Sequence, residues 1–443
     1  VNFGTDLIID SSAGSVSGYS NGISASNTSG GMTSIVTAGV QAVDGDGVSV
    51  SNDAASTTLD IDTSAGAVVG NNRGIYANHA GSDNVTITVG NVTGQNGEGI
   101  LASTTQASAA IIVQGDEVVD SNVIGATTGI SLSAQGAAIT VTNLDSVTGQ
   151  DGDGLNLVSN GGDITVTDIG TISGLNGNGI FVSSDSGTIS IQNVGLVGGI
   201  TATGGVGIAA YADDGGTINI GTSGGIGTVS GTTYGAYGSA AGGAGNVTID
   251  ISNYAITGAI GVSADNAGTG DTNVTTANVT GIAGAGILAS ADGGNVLVST
   301  VAGTVTGLTD GIRTSNTGTG NTTIVTADVV GTMRNGIDAA SDGLNLTIDS
   351  SAGSVNGELV GILADQRSDG AMALFVDDVS GAIGIRTIAT TGSTSIILGS
   401  TAVVDGSATA GIMSTSTGGS ITVQGSSGEV AGAMTGIQAR SGG

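Results

Sequence analysis

The sequence predicts an all-β fold: a single right-handed parallel β-helix (a β-solenoid), with three short strands per rung. There are about 26 residues per rung and about 17 rungs, in one continuous solenoid over residues 1–443. Three observations predict it. A glycine followed by an aliphatic residue recurs at Gly22, Gly47, Gly74, Gly99, Gly129 and so on to Gly436, most often 25 residues apart and never more than 30. Apolar residues alternate at period two within each unit, which marks a strand with one buried face. Glycine supplies 84 residues and proline none, and nowhere does an amphipathic helical period appear.

Each unit reads in the same order. The first strand follows the anchor glycine, as in "GILAS" (99–103) and "GIFVS" (179–183), with Ile180 and Val182 on one face. The second is rich in threonine, as in "NVTITV" (84–89) and "NVTIDI" (246–251), with Val247, Ile249 and Ile251 on one face. The third is shorter and ends on glycine, as in "NVTG" (91–94) and "TVTG" (304–307). Gly, Asn, Asp and Ser crowd the joints, as turns require. Strands this short, repeated with one inward pattern, are best buried by coiling the chain and stacking the coils. Equivalent strands then pair in parallel, with right-handed crossovers. One rung cannot bury enough apolar surface to offset its own ordering entropy, so stability comes from neighbours.

Neither end reads as a cap. The opening "VNFGTDLIIDSSAGSVSG" (1–18) echoes "LNLTIDSSAGSVNG" (344–357), already in repeat phase. Laying Gly443 against Val1 would continue the anchor spacing, so the expectation is a window of a longer array or a unit that stacks end to end.

Composition excludes several classes. Six basic residues, all arginine, face 36 acidic ones, for a net charge of −30. Without clustered Lys and Arg a nucleic-acid partner is excluded. Attraction to anionic membrane surfaces is disfavoured too. A Walker loop needs the lysine this chain lacks. Cysteine is absent, which removes disulfides and thiolate metal sites. No run of about 18 apolar residues exists to span a membrane as a helix.

The joints hold the candidate chemistry. "DGDG" occurs at 44–47 and 151–154, so Asp44, Asp46, Asp151 and Asp153 are candidate oxygen ligands for Ca²⁺. The competing reading is a tight turn with positive φ, filled by Gly, Asn or Asp. Related joints read "NGEG" (96–99), "NGNG" (176–179), "NNRG" (71–74) and "ATTG" (126–129), which favours the turn. No cofactor is required on this reading. Asp213–Asp214 and Asp377–Asp378 could be imagined as a glycosidase couple. Strand neighbours point to opposite faces, so solvated charge is the expectation. The widest spacing, between Gly99 and Gly129, leaves no room for the long inserted loops of a catalytic cleft. His79, the single histidine, lies in "NHAGSD" (78–83), which reads as a turn and places it at the surface. Tyr211, Tyr234, Tyr237 and Tyr254 fall in neighbouring rungs, where an aromatic sugar-binding patch could form.

The repeat form G-[IVL]-x-[AS]…[IV]-T-[IV]-T…G-x-[VI]-x-G, without Cys or Lys, resembles bacterial surface β-helix proteins, most nearly autotransporter passengers and filamentous-haemagglutinin-type adhesins. The resemblance is one of repeat style and covers all 443 residues. It implies export across the outer membrane, folding outside the cell and display as a stalk or fibre. The expected function is therefore a non-catalytic structural and adhesive element at a bacterial surface. Its expected partners are further copies of itself and surface glycans. A polysaccharide-binding or polysaccharide-degrading β-helix is the second expectation, and a cation-stabilised surface-layer component the third.

Overall fold

In the computed structural model, residues 6–221, 225–425 and 427–442 are described, with the side chains of all but 196, 197, 301 and 302. The expected junction of Val1 with Gly443 lies outside them. The chain is an all-β parallel solenoid of about 17 turns with roughly 25 residues per rung, and no helix occurs among the described residues. It divides into two compact units, Val1–Thr232 and Thr233–Gly443.

In the first unit the post-anchor strands run Ile23–Asn27, Val48–Asn52, Ile75–His79, Ile100–Thr104 and onward to Ile208–Ala212. They pair in parallel and in strict register: Ile75 faces Ile100, which faces Ile130, which faces Leu155. The second unit repeats this from Tyr234–Ala240 to Thr435–Ser441. The second and third strands of each rung form a separate sheet and often merge. Ile139–Gly149 and Ile164–Gly174 each cover both. Where they merge, the chain bends through Asn143 and Asp168, both at φ 56°. Asn and Asp tolerate this left-handed conformation better than other side chains. The bend turns Leu144 and Ile169 inward, where they stack in register.

The core is a set of aliphatic columns. Val85, Ile111, Ile139, Ile164 and Ile189 succeed one another in register, all fully buried. Period-two alternation explains the columns, because each strand lends one face to the interior.

The anchor glycines are fixed by crowding. The positive φ expected of the joint turns falls, within the joints quoted above, on Asn176 (φ 72°), and no anchor glycine has it. A Cβ on Gly99 would stand 2.6 Å from Val123 Cγ1 and 2.7 Å from the carbonyl oxygen of Gly129. Gly74 and Gly129 meet the same two obstacles from their own next rungs. The anchor is thus where one coil's backbone lies against the next, and only hydrogen fits.

Candidate functional site

The joint aspartates accept hydrogen bonds from the following rung. Asp46 is buried, and its Oδ1 accepts from Arg73 N at 3.3 Å, Arg73 Nε at 2.9 Å and Asn72 Nδ2 at 3.1 Å, while Oδ2 accepts from Arg73 Nη2 at 3.1 Å. The Arg73 guanidinium carbon lies 4.0 Å from the centroid of the Tyr76 ring, a cation–π contact. Asp153 Oδ1 accepts from Asn178 N at 2.6 Å and Nδ2 at 3.0 Å, and Asn178 Oδ1 accepts in turn from Val206 N at 2.8 Å. Asp151 Oδ1 accepts from Asn176 Nδ2 at 2.9 Å. Asp44 is exposed. The four aspartates fall on joints before Gly47 and before Gly154, four rungs apart, and do not converge. Among the described residues no group of three or more His, Asp or Glu is placed to hold a metal ion.

The same arrangement governs the corner before the second strand. Asn246 Oδ1 accepts from Asp271 N at 2.8 Å, Asp271 Oδ1 from Asn295 N at 2.8 Å, and Asn295 Oδ1 from Asn321 N at 2.8 Å. At the corner before the third strand, Asp328 Oδ1 takes Ser354 N at 2.9 Å and Asp378 Oδ1 takes Val403 N at 3.0 Å. Sheet hydrogen bonding fails at corners because the backbone turns away, and these side chains supply the missing acceptor. That places half of the Asp377–Asp378 pair in a structural contact. Asp213 and Asp214 lie on an exposed turn, with Asp214 at φ 42°.

His79 departs from expectation. It is fully buried at the end of the strand Ile75–His79, not on a surface turn. The reason is its phase: Ile75, Ala77 and His79 share the inward face. Its register partners are Asn52 and Thr104, also buried. This inward column is polar because it abuts the turn, whose backbone groups need partners. Asn266 and Asn316 serve the same role, donating from Nδ2 to Gly245 O at 2.9 Å and Gly294 O at 3.1 Å.

The Gly99–Gly129 unit is the longest of the repeats. Its extra residues, 116–120, leave the wall as a short loop, with Val118 90% exposed. Beside it lies an open recess of about 360 Å³ that includes Asp116, Glu117, Asp120, Asp145 and Asp168. Three of these acids are engaged: Asp116 Oδ1 accepts from Val118 N at 2.8 Å within the loop itself. Asp145 Oδ2 accepts from Ser121 N at 2.7 Å, and Asp168 Oδ1 from Asn193 Nδ2 at 3.1 Å.

A second open cleft, of about 370 Å³, crosses the outward face of the post-anchor sheet in the second unit. Tyr234 and Tyr237 line it with ring centroids 5.1 Å apart and planes tilted by 42°. Along the sheet, Tyr237 is in register with Ser263, then Leu288, then Arg313. In the adjacent column Asp265 accepts a hydrogen bond from the Ser290 hydroxyl. Of the four tyrosines expected to cluster, the structure brings two together. Tyr211 belongs to the first unit and packs on Phe181 at 5.5 Å, and Tyr254 lies on a partly exposed turn. Asp265, Leu288 and Arg313 carry no motif. They become visible as a site only when the chain is written out rung by rung, so that residues about 25 apart stand side by side.

No family model, curated protein or solved structure matches the chain.

Proposed function

We propose that the protein is a non-catalytic structural and adhesive element displayed outside a bacterial cell, in the manner of the surface β-helix adhesins that its repeat resembles. One observation carries the reading: of the carboxylates that the sequence offers for chemistry, Asp46, Asp151, Asp153 and Asp378 are engaged in holding one rung to the next. Asp46, Asp153, Asp310, Asp328 and Asp378 each accept the backbone N–H of a residue about 25 positions on. A carboxylate so held serves the scaffold, and a solenoid of such rungs presents its outward side chains at regular intervals. Further copies of the chain and surface glycans are the partners this reading names, and no metal ion is required to complete a rung.

The test measures adhesion and depolymerisation together. Beads coated with the purified chain are scored for attachment to cells and glycan-coated surfaces, while a panel of polysaccharides is assayed for new reducing ends. Attachment without new reducing ends is the expected result. Sustained release of reducing ends would overturn the reading in favour of a polysaccharide-degrading enzyme. The tyrosine-lined cleft favours the polysaccharide-binding half of that alternative, since aromatic floors with a few polar groups suit small ligands.

A further inference from the structure

The arginines are unevenly placed. Five of six (Arg313, Arg334, Arg367, Arg386 and Arg440) fall after residue 312, in a chain of net charge −30. Arg334 lies 3.5 Å from Asp310, and Arg367 lies 2.8 Å from Asp365 and 4.0 Å from Asp342. Arg313 differs. It is exposed, it lines the cleft, and among the described residues no carboxylate oxygen lies within 4.0 Å of its nitrogens. Asp338, its register partner on the next rung, influences it through space without closing an ion pair.

The cleft therefore has three chemically distinct parts along one line. The tilted tyrosine pair forms an aromatic end. Asp265, oriented by the Ser290 hydroxyl, is the single carboxylate lining the middle. Arg313 is a cation at the far end. Tyr237 and Arg313 are three registers apart, about 14 Å at the usual strand spacing. That span exceeds one sugar ring and suits a short oligosaccharide. Aromatic faces accept the apolar side of a sugar ring, and a carboxylate accepts hydrogen bonds from its hydroxyls. A guanidinium binds a planar carboxylate through two parallel hydrogen bonds. A cationic ligand is disfavoured by Arg313. A multiply charged phosphate is disfavoured by Asp265 and Asp338 beside a lone guanidinium.

We propose that this cleft binds a glycan bearing a carboxylated sugar. One ring lies against Tyr234 and Tyr237, ring hydroxyls donate to Asp265, and the sugar carboxylate pairs with Arg313. The proposal goes beyond the structural reading, whose adhesion assay stands separately. Failure here removes the cleft as a binding site and leaves attachment through other surfaces to be judged on its own.

The test is calorimetric titration of the full chain with sialyllactose and with a galacturonate trimer, each beside its neutral counterpart, lactose or a galactose trimer. Saturable binding of at least one acidic glycan is expected, about tenfold or more tighter than its counterpart. Which acid binds identifies the source of the carboxylate. Arg313→Gln should bring acidic and neutral affinities together, and Tyr237→Ala should weaken both by about tenfold. Both side chains face outward, and far-UV circular dichroism of each variant checks that the fold is retained. Binding of neither acidic glycan, equal binding of acidic and neutral forms, or indifference to Arg313→Gln overturns the proposal.

Discussion

Asn52 donates from Nδ2 to Nδ1 of His79 at 3.3 Å, and this contact settles which imidazole nitrogen carries the proton. The other ring nitrogen, Nε2, lies 3.1 Å from the carbonyl oxygen of Asp83. A carbonyl only accepts, so Nε2 is the donor and Nδ1 the acceptor. Thr33 completes the chain by donating from Oγ1 to Asn52 Oδ1 at 3.0 Å. A second proton on His79 would face the amide hydrogens of Asn52 in a buried column.

His79 should therefore make stability depend on pH. Burial holds its pKa below the ordinary 6.5, against the opposing pull of the Asp83 and Thr57 backbone groups. Between the folded and unfolded pKa values the unfolded chain binds the proton and the folded chain does not. Stability from this group is complete above the unfolded value and is lost as the pH falls below it. Urea unfolding at about pH 7.5 and about pH 5.5 should show a drop for the native chain that is smaller in His79→Asn. Asparagine suits the column, since Asn52 already stands there. An equal drop in both chains would remove His79 as the cause.

The Asp46–Arg73 pair should behave as a structural contact. Asp46→Ala leaves a partly covered guanidinium and an unmet Arg73 amide, a loss of about 3 kcal/mol for a mostly buried pair. Asp46→Asn keeps an oxygen for the amide and should lose less, about 1 kcal/mol. Denaturant unfolding ranks the two variants, and the reverse order would contradict the geometry.

Two glycines should respond oppositely to alanine. Gly99→Ala pushes a methyl group against the Gly129 carbonyl and Val123, which the backbone must absorb at about 1–3 kcal/mol or more. Gly14 has nothing within 4 Å of a built Cβ and no positive φ, so Gly14→Ala should be neutral or stabilising by about 0.5 kcal/mol. Thermal unfolding of both variants checks the contrast.

Chelator should leave stability unchanged. The oxygens of Asp46 and Asp153 already accept protein hydrogen bonds from Arg73, Asn72 and Asn178. Melting curves in EDTA and in millimolar calcium are expected to coincide. A rise with calcium would indicate a cation among the joints and favour the surface-layer reading.

Much of the fold was legible because glycine spacing and period-two alternation are imposed by the same stacking that creates the core. The inward column that holds His79 was not. Asn27, Asn52, His79 and Thr104 look like turn residues in one dimension, yet they occupy the inward phase, where Asn27 and His79 reach backbone carbonyls and Asn52 bridges Thr33 to His79. Why glycine is the anchor was also hidden, since crowding by Val123 and Gly129 involves chain 24 and 30 residues away. The tyrosine cleft was half legible. Aromatic residues stand out in a chain with so few, but Asp265 and Arg313 join them only through the register.

The corner hydrogen bonds have an orientation. Where an Asp or Asn side chain accepts a neighbouring rung's amide among the described residues, the acceptor precedes the donor: Asn21 before Asp46, Asp163 before Thr188, Asn345 before Ala371. Only Asp145, which takes the amide of Ser121, runs against the grain. A finished coil thus offers side-chain acceptors to its successor, and the amides that these side chains meet look back to the coil before. Growth from low residue numbers to high would meet acceptors already in place at all of these corners but that of Asp145, and growth in the opposite sense would meet donors whose partners had yet to form.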